Sequence, residues 1–74
     1  GRMNYGDGQK LKLTLTTSVW LARQLEETPL STDQTVKYCE DTAILVATVY
    51  DSMKLDHWIL SQGDSILHVK KIFQ

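Results

Sequence analysis

His57, His68 and Cys39 are the side chains of this chain that suit metal binding through nitrogen or sulfur, or base and nucleophile work near neutral pH. A catalytic reading begins with the two histidines, which a β-hairpin over this region would set diagonally on one face, roughly 7–8 Å apart. A metal would need more ligands, and Cys39 has neither a second cysteine nor zinc-type spacing beside it. Cys39 falls on an apolar stripe, where a lone thiol commonly packs as a small hydrophobe. Asp51, Asp56 and Asp64 suit a helix end, a cross-strand pair with Lys71 and a turn. The chain holds no G-x-S-x-G and no glycine-rich phosphate loop. The expectation is a protein that is not an enzyme, with no catalytic residues, no cofactor and no metal.

Lys10, Lys12, Lys70 and Lys71 form a second group. Pairing the first strand with the last would gather several of them along one side of a sheet, where they could contact phosphates. Lysine on a strand edge also guards against edge-to-edge aggregation, and no aromatic row interleaves these lysines to stack on bases. Trp20 and Trp58 suit a partner anchor or the core equally, because a small domain has few large side chains to fill its centre.

The chain has 74 residues, one cysteine and a net charge of −1. It is long enough for one domain with one modest core, an internal disulfide is excluded, and there is no overall basic field to draw nucleic acid. The longest nearly apolar run, from Ala43 to Tyr50, falls far short of the roughly 20 residues that span a bilayer. No basic and hydrophobic leader opens the chain, so a soluble cytoplasmic protein with no membrane partner is expected. Gly1 and Arg2 ahead of Met3 look like an expression remnant, and residues 1–9 are expected to be a flexible lead-in to a single domain over 10–74.

The elements that would position these groups follow from periodicity. Lys10 to Thr17 reads KLKLTLTT, whose Leu11, Leu13 and Leu15 alternate with polar residues as a half-buried strand does. Thr17 or Ser18 can cap a short helix through Glu27 that buries Val19, Leu21, Ala22 and Leu25 and stops before Pro29. Ser31 and Gln34 have capping-box spacing, and Val36, Cys39, Ala43, Val46, Tyr50 and Met53 recur at steps of three and four. These signals predict a long helix from about Thr32 to Met53, apolar nearly all round in its second half.

The C-terminal stretch from Trp58 to Phe73 admits two readings. A hairpin turning at Gly63-Asp64 puts Trp58, Leu60, Leu67 and Val69 on one face. Two short helices meeting at Gly63 would instead resemble a helix-turn-helix. The hairpin is preferred, because the Leu11 strand needs partners and this segment is the one expected to supply them. The expected fold is therefore α+β in the order β-α-α-β-β, a three-stranded antiparallel sheet with two helices packed on one face.

That fold leaves apolar surface which one subunit cannot cover. The expected function is a non-catalytic protein-interaction or regulatory module, acting as a homodimer or with another protein through the long helix and the hairpin, with Leu45, Val49, Ile59, Ile66 and Ile72 at the interface. The alternative is a small DNA-binding regulator using residues 56–73 as a helix-turn-helix, with Lys70 and Lys71 on the phosphates.

Overall fold

The computed structural model describes residues 8–74. The element order is β1 (Lys10–Ser18), α1 (Val19–Glu27), β2 (Thr35–Cys39), β3 (Thr42–Tyr50), α2 (Met53–Ser61), a 3₁₀ turn over Gly63–Ser65, and β4 (Ile66–Phe73). All strands lie in one antiparallel sheet ordered β2-β3-β1-β4. The β-α-β-β-α-β order is that of the split β-α-β arrangement. Of the expected lead-in over 1–9, residues 1–7 lie outside the described residues.

β1 is the axis of the fold. Leu11, Leu13 and Leu15 are fully buried, and they pack with Leu21 and Leu25 of α1 and with Leu45 and Ala47 of β3. Leu55, Trp58 and Ile59 of α2 close over this cluster from the same side. Both helices therefore cover one sheet face, and among the described residues no element covers the other. Each helix begins at a serine cap: the Ser18 hydroxyl accepts the Leu21 N–H at 3.2 Å, and the Ser52 hydroxyl accepts the Leu55 N–H at 3.0 Å. Gly63, at φ +57°, supplies the left-handed residue just past the end of α2.

The structure corrects the expected β-α-α-β-β order and its three-stranded sheet. The stretch predicted as one long helix is a hairpin, β2 and β3, turning at Glu40 and Asp41, with Glu40 at φ +48°. Ala43, Leu45, Ala47 and Val49 alternate inward, while Thr42, Ile44, Val46 and Thr48 alternate outward. Because all four of these outward residues are β-branched and two of them, Ile44 and Val46, are apolar, the period of two was hidden under an apparent helical stripe. The supposed capping box makes a turn instead: the Gln34 side chain accepts the Leu30 N–H at 2.9 Å and donates to the Leu25 carbonyl at 2.8 Å.

The C-terminal stretch is neither the expected hairpin nor the alternative helix pair. Its first half is helix α2 and its second half is strand β4. β1 did need partners, but β3 as well as β4 provides them. The second helix that a helix-turn-helix requires is absent from residues 66–73.

Candidate functional site: the helix-free sheet face

Antiparallel register fixes which side chains share the bare face. Across β2-β3-β1-β4, one row runs Lys37, Ile44, Thr16 and His68; the next runs Thr35, Val46, Thr14 and Lys70. Thr48, Lys12 and Ile72 make a third, and Tyr50 beside Lys10 a fourth. The strand positions on this face thus carry Lys10, Lys12, Lys37 and Lys70 and no carboxylate. Ile44, Tyr50 and Ile72 are exposed among them. The chain's net charge of −1 therefore conceals a local excess, with four of its eight basic residues on the open sheet face and the described acids on helices, turns and loops.

Among the described residues Asp33 borders the face through Thr48. Asp33 accepts the Thr48 backbone N–H at 3.0 Å and the Thr48 hydroxyl, so its side chain continues the pairing of β3 beyond Thr35, where β2 begins. Ser31 also donates to it. These bonds, the Ser31 hydroxyl first and Thr48 next, hold its carboxyl well below the usual carboxylate range.

Lys71, adjacent in sequence to the open-face Lys70, points the other way. Its ammonium lies 2.7 Å from Asp56 and 3.0 Å from Asp51, which ties β4 to the start of α2 and the end of β3. Asp56 and then Asp51 raise its pKa above the ordinary lysine value. Asp56 and Lys71 do meet, as the hairpin reading required, but from a helix to a strand. Of the lysines expected to cluster, Lys10, Lys12 and Lys70 share the open face and Lys71 does not.

The expected interface residues separate in the same manner. Leu45 is fully buried in the core, and Val49, Ile59 and Ile66 are half-buried against it. Ile72 alone of the five stands on the open face. Ile44, Val46 and Tyr50 are the apolar members that the helical reading of their segment missed; the signal for them was the two-residue alternation between Thr42 and Tyr50.

The candidate chemical groups are dispersed. His57 lies exposed on α2, while His68 is on the bare side of β4, so the expected diagonal pair does not form. Cys39 is a free thiol, half-buried at the end of β2. Among the described residues no three of the His, Cys, Asp and Glu side chains are placed to share a metal ion. Trp58 packs against the core, whereas Trp20 is exposed on α1. On the helix side the Tyr38 hydroxyl donates to Glu26 at 2.7 Å, and that carboxylate raises the phenol's pKa. No helix among the described residues is long and apolar enough to cross a membrane. Compared with known protein families, curated proteins and solved structures, the chain matches none.

Proposed function

We propose that the chain is a non-catalytic protein-interaction module whose working surface is the helix-free face of the sheet, and whose partner lays an acidic, amphipathic helix across it. The observation that carries this reading is the composition of the face, with Lys10, Lys12, Lys37 and Lys70 set around Ile44, Val46, Tyr50 and Ile72. A helix is the ordinary cover for a bare sheet face, and glutamates flanking its apolar stripe would meet the lysines. A second copy stacked face to face would bring the same four lysines of each subunit together, which favours an acidic partner over the homodimer. Among the described residues Tyr50 is the one Phe, Trp or Tyr on the face, so no stacking row of a single-strand nucleic-acid binder is found there. The lone thiol of Cys39 suits a reducing compartment such as the cytoplasm.

The test is an NMR titration of the labelled protein with a synthetic helical peptide carrying a leucine stripe flanked by glutamates, beside a titration with a single-stranded oligothymidylate. The expected result is peptide-induced shifts at Lys12, Ile44, Val46 and Ile72, abolished in an Ile44→Asp, Lys12→Glu double variant. Binding of the oligonucleotide alone would move the reading to nucleic acid. Dimerisation through these same residues would restore the homodimer.

A further inference from the structure

β4 is an edge strand, and among the described residues no strand pairs with its outer edge. The Gln74 N–H donates to the Lys10 carbonyl at 3.0 Å, and the register continues Lys12 with Ile72, Thr14 with Lys70 and Thr16 with His68. Hydrogen-bonded pairs alternate along an antiparallel ladder, so the N–H and C=O groups of Val69, Lys71 and Phe73 face away from β1 toward the free edge. The opposite edge is different. β2 has five residues against eight in β4, and Asp33 already occupies the pairing position beyond its start.

The side chains along the β4 edge divide by face. On the helix side Val69 and Phe73 are 37% and 47% exposed, Leu67 at the bulge is 58% exposed, and no residue of β4 or α2 is fully buried. On the bare side stand His68 and Lys70, with Lys12 one strand in. Among the described residues both salt bridges belong to Lys71, so neither Lys12 nor Lys70 has a carboxylate partner there.

We propose that the β4 edge binds an extended peptide segment in which apolar residues alternate with acidic ones. The segment adds as a fifth strand: its backbone pairs with Val69, Lys71 and Phe73, its apolar side chains lie beside Val69 and Phe73, and its carboxylates face Lys70 and Lys12. Backbone pairing gives such additions their affinity, and the alternating side chains give specificity. A second copy fits this edge poorly, because β4 reads ILHVKKIF and holds no acid. A two-fold axis at Lys70 sets that lysine opposite its own copy. Like charges directly opposite destabilise a strand pair. This surface shares Lys12 and Lys70 with the helix-free face, but its backbone pairing lies along the β4 edge and does not depend on what covers that face.

The experiment titrates the whole chain with a fluorescein-labelled nonapeptide alternating valine with glutamate, followed by anisotropy and by amide shifts. A version with lysine for glutamate and one with N-methylated valines serve as controls. Val69→Pro is the informative variant, since the Val69 N–H makes no bond to β1 and proline is tolerated where the N–H faces outward; its fold is checked by circular dichroism. The expected result is binding at or below about 100 μM with shifts at Val69, Lys71 and Phe73, weakened by at least about tenfold in Val69→Pro and in Lys70→Glu. Lys70→Glu should at the same time admit the lysine peptide. Equal binding of the N-methylated peptide, or unchanged binding by a folded Val69→Pro, would reduce the effect to charge attraction and overturn strand addition. Shifts confined to β1 and β3 would assign the peptide to the open face, and concentration-dependent self-association through β4 would assign the edge to a second copy; either overturns the proposal.

Discussion

Leu45 and Ile72 stand at opposite ends of a scale that the sequence alone made equal, since both were expected at an interface. Leu45 is 0% exposed, centred between Val36 and Leu15, whereas Ile72 is 49% exposed on the bare face. Leu45→Ala removes buried methyl groups and leaves a cavity at the middle of the sheet, which costs ~2–5 kcal/mol. Ile72→Ala forfeits part of a burial that is worth ~1.5–3 kcal/mol when complete, and opens no cavity, so its cost is about 1 kcal/mol or less. At roughly 0.05–0.15 kcal/mol per residue, this domain has on the order of 4–11 kcal/mol in total. Leu45→Ala therefore consumes a large part of it, lowering Tm by roughly 8–40 °C, while Ile72→Ala stays within about 8 °C of the parent. Urea unfolding followed by circular dichroism and by Trp58 fluorescence measures both; Leu45→Val, at about 1 kcal/mol, is the milder companion should Leu45→Ala not fold. A Leu45→Ala protein within about 1 kcal/mol of the parent, or an Ile72→Ala protein equally destabilised, would show that the two faces of the sheet have been assigned the wrong way round.

Glu40→Gly is expected to stabilise the domain by about 1 kcal/mol, because a side chain at positive φ is strained there and glycine is not; a loss of stability in urea melts would contradict the turn geometry. Asp33→Asn removes a carboxylate whose pKa is depressed in the folded state. Its contribution is present above the unfolded pKa of ~3.9 and is lost as pH falls toward the lower folded value, so parent and variant melts should differ near neutrality and converge in acid. A difference that persists unchanged below about pH 2 would count against the Thr48 contacts as its source.

The first third of the chain was legible because each signal there was unopposed. Leu11, Leu13 and Leu15 alternate with polar residues, Ser18 caps, and Pro29 follows the end of α1, so β1 and α1 lie where the pattern placed them. The middle was misread because Ile44 and Val46, on a face that both helices leave bare, carry the apolarity that ordinarily marks the buried side. Their presence is what erased the period of two, and it is also what makes that face a candidate interface. Gly63 was recognised as a break but given the wrong partner: it ends a helix instead of turning a hairpin. The local excess of lysines could not be seen in composition, since it exists only once β1 and β4 bring Lys10, Lys12 and Lys70 to one side. The Asp33 side chain completing a strand ladder had no local signature at all, because its partner Thr48 lies fifteen residues on.

The bonds that close β1 to β4 also join the two ends of the described chain. The Gln9 side-chain amide donates to the Gln74 carbonyl at 3.4 Å, and the Gln74 N–H reaches the Lys10 carbonyl. Entry and exit lie side by side at one corner of the sheet, so the domain can be grafted into a surface loop of another protein without prising that loop apart. The Glu40–Asp41 turn is the natural place for new ends in a circularly permuted version, with a linker joining Gln74 to Gln9. Mounted in that way, the fold would serve as a cassette that displays a broad, basic sheet on whatever scaffold carries it.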